Sequence, residues 1–324
     1  MFNYFQAGVG ALLLHISSSS FAYDDGRVLG CSSLIYRAIT SPSILTTGPV
    51  AGMLAGAAAV AAFFPAQYFP DYSALDPSIS ALGAWTVPVA GLLVGLGTKL
   101  GSGCTSGHML IGLARRSLRS LVAVATFSSV AMLATYLTGA APVTSPPPYT
   151  VASPSSLDVK LLLALVAATY ATRYILRRFV YRPGSKFSQL VSSLFSGITF
   201  GLGLVVSGMA SPGTTLGFLA LPTPERFNPS LLMVMAFGLV PNLIEFSVKG
   251  TEPAPTCVEK YELPRDLTTI TPRLVIGSAI FGLGWGISGI CPGPGLLGAF
   301  FNGKDGLIWL ATFLAGYGTA SHCL

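Results

Sequence analysis

The chain has 324 residues, of which 52% are apolar and only 9% charged, and its mean hydropathy is +0.67. Such a composition cannot cover a globule with charge as soluble domains do, so it indicates a polytopic membrane protein. The net charge of +6 does not point to nucleic acid, because no basic stripe is interleaved with aromatics or attached to a soluble domain.

In chain order, nine windows are long and apolar enough to cross ~30 Å of hydrocarbon. They lie near Phe2 to Ala22, Thr47 to Phe64, Leu82 to Leu100, Leu118 to Ala141, Asp158 to Phe179, Ser188 to Met209, Pro229 to Val248, Pro272 to Ile290 and Gly306 to Ser321. None alternates as a barrel strand does, so helices are expected. Ser17 to Ala22 resembles a signal-peptide cleavage region, but no Lys or Arg precedes the first window, which reads as a membrane helix. The expected fold is an all-α polytopic membrane protein, a single transmembrane domain over 1–324 with about nine spans plus short re-entrant helices.

Glycine (37) and proline (23) are abundant and cluster at four breaks, each directly after an apolar window. The breaks are Gly26-Arg-Val-Leu-Gly-Cys-Ser-Ser33, Gly97-Thr-Lys-Leu-Gly-Ser-Gly-Cys-Thr-Ser-Gly107, Gly203-Leu-Val-Val-Ser-Gly-Met-Ala-Ser-Pro-Gly213 and Gly284-Trp-Gly-Ile-Ser-Gly-Ile-Cys-Pro-Gly-Pro-Gly295. Each carries a sulfur residue among small ones, followed by a short apolar stretch. Two lie on either side of the linker Ala141-Pro-Val-Thr-Ser-Pro-Pro-Pro148, which suggests a duplicated unit with repeats of about 1–145 and 157–324. Equivalent helices are separated by an odd number of crossings, so the repeats are expected to be inverted, a signature of secondary transporters.

Charge sets the expected orientation. Arg27, Arg37, Lys99, Arg115, Arg116, Arg119, Arg173, Arg177, Arg178, Arg182, Lys186, Lys249, Lys260, Arg265 and Arg273 fall in or beside the odd-numbered connections, against Lys160, Arg226 and Lys304 for the even ones. The positive-inside rule then places the N-terminus outside and the C-terminus in the cytoplasm, with the plasma membrane as the expected location. The connection from Lys249 to Thr271 is the one substantial polar loop, and Glu245, near the end of the window before it, is spaced to pair with Lys249.

Broken helices within a membrane are where substrates bind, and their termini carry unpaired N–H groups and partial positive charge. Anions are therefore the favoured ligands. New helical turns are expected at Leu110 to Leu113 and Leu296 to Phe300. Cys31, Cys104 and Cys291 occupy matching breaks, so they are expected to converge as weakly donating S–H stations along one path. Gly103, Thr105, Ser106, Gly107, His108, Gly289, Pro292 and Gly293 complete the candidate binding set. Cys257 and Cys323 read as ordinary cysteines, without a disulfide framework. His108 makes only an isolated Cys-x3-His pair with Cys104, too few ligands for zinc, so neither metal nor cofactor is expected. His15 and His322 read as incidental. Lys99 is balanced between snorkelling to the interface and adding positive potential to the cavity.

The run from Gly95, Gly-Leu-Gly-Thr-Lys-Leu-Gly-Ser-Gly-Cys-Thr-Ser-Gly-His, and the run Gly286-Ile-Ser-Gly-Ile-Cys-Pro-Gly-Pro-Gly295 together resemble the signature of the YeeE/YedE sulfur-transport family. With the first and third breaks the resemblance covers nearly the whole chain. It implies thiosulfate uptake through an hourglass-like helical fold in which three cysteines, matching Cys31, Cys104 and Cys291, contact the anion. Gly295 departs from it, standing where alanine is expected. The chain is thus expected to be a transporter of thiosulfate or a related sulfur oxyanion rather than an enzyme, with the lipid bilayer around it and a sulfur-carrier protein on the cytoplasmic side as a candidate partner. Two alternatives remain beside it: a membrane sulfurtransferase forming a cysteine persulfide, with His108 as its one nearby base, and a passive anion channel.

Overall fold

The computed structural model describes residues 3–64, 68–78, 80, 82–143, 151, 153–221, 223–251 and 254–322. Cys323, Pro222 and the proline run 144–150 of the central linker lie outside the described residues. The molecule is an all-α polytopic membrane protein, with no β-strand among the described residues.

The first half runs α1 (Tyr4–Asp24), a short α2 (Cys31–Thr40), α3 (Ile44–Phe63), α4 (Thr86–Leu100), a wide π-helical turn (Ser106–Gly112) and α5 (Leu118–Thr138). After α6 (Ser156–Ile175), the second half runs α7 (Lys186–Val206), a short α8 (Pro212–Leu219), a rod formed by α9 (Leu232–Val234) and α10 (Val240–Lys249) joined through π turns, α11 (Pro272–Ser288), a short α12 (Pro292–Phe301) and α13 (Gly303–His322). Each half therefore has the same order of long and short elements, with α6 between them.

A long helix lies in each of the nine apolar windows, and seven satisfy the length and apolarity of a membrane span. The two that do not are α1 and α13. In α1 the serines Ser17 to Ser20, His15 and Asp24 lower the hydropathy, and these groups are buried against neighbouring helices. Far from being peripheral, α1 is buried along most of its length. The least buried of the long helices is α6, which presents Leu157, Leu161, Leu163, Tyr174 and Ile175 outward.

Start and stop signals are local. Ser117, Ser155, Ser185 and Thr271 each accept a backbone N–H three residues ahead, capping α5, α6, α7 and α11. Gly139 and Gly289 end α5 and α11 in the left-handed region, at φ 62° and 69°.

Lipid tails are as apolar as leucine, so helix association here rests on close packing of small residues. In α4, α11 and α7 the glycines meet backbone directly: a Cβ at Gly97 would lie 2.2 Å from Phe281 N, at Gly282 2.5 Å from Phe127 O, and at Gly197 2.3 Å from Pro49 O. The pairing follows the order of the halves. α1 packs antiparallel on α7 and α4 antiparallel on α11, while α3 runs parallel to α7 as the α9–α10 rod does to α1, and α13 runs parallel to α4 as α5 does to α11.

Gly295, the position where alanine is expected, faces the ring of Trp309, and a Cβ there would fall 2.0 Å from Trp309 Cζ3. The glycine admits the fully buried indole of α13 against α12. Replacing Gly295 by alanine is therefore expected to displace Trp309 and lower stability by about 1–3 kcal/mol, the usual cost of overpacking. Thermal unfolding in detergent compared with wild type checks this, and an unchanged midpoint would contradict it.

Candidate functional site

The breaks meet at the centre of the molecule. A buried cavity is lined by Cys31, Cys104, Thr105, Ser106, Cys291 and Gly293, together with Leu14, Met109, Leu110, Phe200, Leu204, Met209, Val234 and Pro294. Cys31 is the first residue of α2, Cys291 caps the start of α12, and Cys104 lies two residues before the π turn, which Thr105 caps. They are 2%, 5% and 1% exposed, and all three are free thiols.

Two hydroxyls of break two connect the thiols. Ser106 Oγ accepts the Cys31 amide at 3.1 Å and lies 3.3 Å from Cys104 Sγ. Thr105 Oγ1 donates to Cys291 Sγ at 3.5 Å. Break one also abuts break four, since a Cβ at Gly293 would come within 3.3 Å of Cys31 Sγ. The cavity leaves about 10 Å³ of free space, room for roughly one water molecule. It is closed to solvent, with the three thiols at most 5% exposed.

The turns after the breaks begin earlier than the sequence suggests. The expected starts at Leu110 and Leu296 move back to Ser106 and Pro292, because the helical backbone resumes beside the cysteine itself. Pro at the first helical position explains the second shift, having no N–H to satisfy and φ already helical. Cys31 and Cys291 thus sit at the positive ends of ten-residue helices.

Not every candidate residue reaches the cavity. Gly289 terminates α11, with the Pro212 carbonyl 2.6 Å from where a Cβ would be, and Pro292 starts α12; neither lines the wall. Gly103, Gly107 and His108 instead line a neighbouring vestibule of about 590 Å³. His108 Nε2 lies 3.0 Å from the Gly101 carbonyl, which can only accept, so Nε2 carries the proton and Nδ1 accepts from Ser120 Oγ, also at 3.0 Å. Both ring nitrogens are occupied in clamping break two to α5, which leaves no free base beside the thiols. Gly103 is required by this clamp, for a Cβ there would lie 2.8 Å from His108 Nε2.

The vestibule is strongly basic. Lys99, Arg115, Arg119, Arg265 and Arg273 line it against a single acid, Asp266. Lys99 lies 5.6 Å above the Tyr317 ring and lines this vestibule rather than the thiol cavity. Arg119 bonds Ser102 Oγ at 3.0 Å and lies 3.6 Å from Asp266. Arg115 and Arg116 are tied to Pro264 O and Ser247 Oγ, each at 3.0 Å. The lining comes from the first, third and seventh connections, so three odd-numbered connections gather at one end of the molecule.

Some groups in and around the cavity wall were not among the candidates read from the sequence. Met209, the sulfur residue of break three, and Met109 join the cavity wall. His15 is not incidental. It is 8% exposed, with Nδ1 2.8 Å from Asn242 Oδ1 and Nε2 3.9 Å from Glu245 Oε2. Glu245 does pair with Lys249, at 2.6 Å, and also accepts from Ser19 Oγ at 2.5 Å. Arg173 Nη2 bonds Ser19 Oγ at 2.9 Å. Asn242 Nδ2 extends the network to the Leu110 carbonyl in the cavity wall, at 3.1 Å. Among the described residues no group of three or more His, Cys, Asp or Glu is disposed to hold a metal ion.

A sequence profile described as "Family of unknown function (DUF6691)" matches residues 188–322, the stretch from α7 to α13. A protein named "Probable transporter" from Xylella fastidiosa (strain Temecula1 / ATCC 700964) is 36% identical over 129 residues, which are 39% of this chain and 89% of that relative. Another of the same name from that strain is 36% identical over 124 residues, 38% of this chain and 82% of the relative. A third, from strain 9a5c, matches at 36% over 124 residues and 84% of its length. Each relative is thus less than half as long as this chain.

Because the three thiols are buried, a neutral maleimide is expected to leave Cys31, Cys104 and Cys291 largely unmodified in the folded protein and to modify them on unfolding. His108→Ala removes the clamp on break two and is expected to raise labelling at Cys104 first. Peptide-level mass spectrometry reads the order, and uniform rapid labelling of wild type would contradict the closed cavity.

Proposed function

The chain belongs to the family of these probable transporters and is an integral membrane transporter, and we propose that its cargo is thiosulfate or a closely related sulfur oxyanion, passed along the cluster of Cys291, Cys104 and Cys31. The observation that carries this reading is the meeting of three free thiols from three separate breaks in one buried cavity beside a basic vestibule. An anion is drawn toward the vestibule by the summed field of its cations. At the thiols the local charge is limited to helix-terminal dipoles and neutral S–H donors, which hold an anion loosely enough to release it. Polarizable sulfur also suits a sulfur-bearing cargo better than hard oxygen ligands would.

The transporter reading of the cavity is supported by the matching order and pairing of the two halves, which we take as an inverted duplication of about 1–145 and 157–324 with the site between them. Relatives of less than half this length accord with a unit of that size. With the odd connections in the cytoplasm of a plasma membrane, the vestibule opens inward and the cargo meets Cys291 before Cys104 and Cys31. A soluble sulfur-carrier protein could then receive it at the vestibule mouth. The persulfide alternative is disfavoured by the full engagement of His108, which leaves the thiols without a base.

Radiolabelled thiosulfate uptake in cells lacking other routes tests the proposal. Cys104→Ala and Cys291→Ala are each expected to bring uptake to background, with unlabelled sulfite and sulfide competing less well than thiosulfate. Wild-type rates in both variants at equal expression would overturn the mechanism. Lys99→Ala and Arg119→Ala, which touch only the vestibule, are expected to weaken uptake several-fold and to reduce its salt sensitivity.

A further inference from the structure

Two consecutive aspartates close α1, at the end where the polar loop folds back on the bundle. Asp24 and Asp25 are 0% and 1% exposed. Arg177 donates to Asp24 Oδ1 from both Nε and Nη2, each at 2.8 Å. Ser192 of α7 donates to Asp25 Oδ1. The other oxygen of each carboxyl has no partner among the described residues. Tyr181 interacts electrostatically with both aspartates, is itself 3% exposed, and has an unpartnered hydroxyl.

The remaining groups facing Asp25 are accounted for. Arg27, in the turn after α1, is committed to Glu262 at 2.6 Å. From the loop, Cys257 donates its amide to the Asp24 carbonyl at 2.8 Å, and burial holds its thiol up at about 12. The single guanidinium in direct contact is therefore taken by Asp24. Two ionised carboxylates here would leave one bare buried anion beside another, an arrangement that proteins relieve by neutralising one of them. Burial, with the Asp24 charge adding to it, pushes the Asp25 carboxyl well above the usual carboxylate range.

We propose that Asp25 is a proton-carrying site through which cargo movement is coupled to proton movement. In the closed form the carboxyl is protonated under the strap formed by Thr256, Cys257 and Glu262, whose amides bond the carbonyls of Tyr23, Asp24 and Gly26. When the strap lifts, the Asp25 O–H bond breaks heterolytically, the proton passes to water on the vestibule side, and the electron pair stays on a carboxylate that Ser192 already solvates; the next cycle begins when that carboxylate takes a proton that entered with the cargo from the opposite side. The turn that the strap holds, from Asp25 to Gly30, leads directly into Cys31 at the start of α2, so in this proposal release of the strap joins deprotonation to the position of a cavity thiol. This inference rests on the transport reading above for its cargo, but the proton site itself does not depend on which anion is carried.

Purified full-length protein in proteoliposomes tests it. Wild type is expected to accumulate labelled thiosulfate under an inward proton gradient, and Asp25→Asn, a permanently neutral mimic, is expected to lose that accumulation relative to its exchange of labelled for unlabelled thiosulfate. Infrared spectra of the same protein without cargo should show a protonated-carboxyl band that titrates with pH and is missing in Asp25→Asn. Should that variant fail to fold, Ser192→Ala, which removes the donor favouring the carboxylate, is expected to move the band's midpoint to higher pH. Gradient-driven accumulation by Asp25→Asn equal to wild type, or a band indifferent to both substitutions, would overturn the assignment. Absence of thiosulfate exchange in wild type would refute the cargo alone, with the infrared titration still deciding the proton site.

Discussion

Each helix interrupted within a bilayer releases backbone donors and acceptors that lipid cannot satisfy, so the protein must supply their partners. This requirement organises the centre of the molecule. In break two the Gly101 carbonyl is taken by His108 and the Gly103 amide by the Thr98 carbonyl, at 2.9 Å. In break four Ser288 Oγ both bonds back to the Gly284 carbonyl and accepts the Ile290 amide. Break one is closed from outside itself, by Ser106 on the Cys31 amide. Breaks two and four thus satisfy their own backbone, break one relies on break two, and the Thr105–Cys291 bond ties break two to break four, which brings the three cysteines together.

Much of this was legible in the sequence because it is written in contiguous residues. Apolar windows, glycine-rich breaks and the Glu245–Lys249 pair are local patterns, and the structure has a helix, a turn or an ion pair at each. What escaped the sequence joins residues far apart in it. His15 and Asn242 are 227 positions apart, and nothing in either neighbourhood announces the other. Gly295 looked like a simple departure until Trp309 was seen to fill the space of its missing methyl. The serine run of α1 resembled a processing signal, yet Ser17 bonds the Ser196 carbonyl and Ser19 bonds Glu245, so it is the polar seam on which α6, α7 and α10 meet α1.

The pairing of helices bears on how such a molecule could move. Equivalent helices pack antiparallel on one another, α1 on α7 and α4 on α11, through glycine contacts so close that even a methyl group has no room. Those contacts behave as rigid units, since packed interiors are bistable rather than continuously deformable. The short helices α2 and α12 sit among them with fewer neighbours and carry the cavity thiols at their starts. The closed cavity is thus bounded by short helices set in a frame of long, tightly packed pairs.

Electrical work then decides what an uptake route of this kind requires. Moving one charge against a membrane potential costs about 2.3 kcal/mol per 100 mV, so a dianion entering a negative interior faces about twice that before any concentration gradient is added. Helix dipoles and a basic vestibule lower the local energy of the anion inside the protein, but they act equally on the way in and the way out and cannot drive accumulation. A titratable group that takes a proton from one side and releases it on the other can, because it draws on the proton gradient between them. The buried carboxyl at the end of α1 is placed as the proposed proton site requires: shielded from solvent, covered by the strap of residues 256–262, and joined by a short turn to Cys31 in the cavity wall.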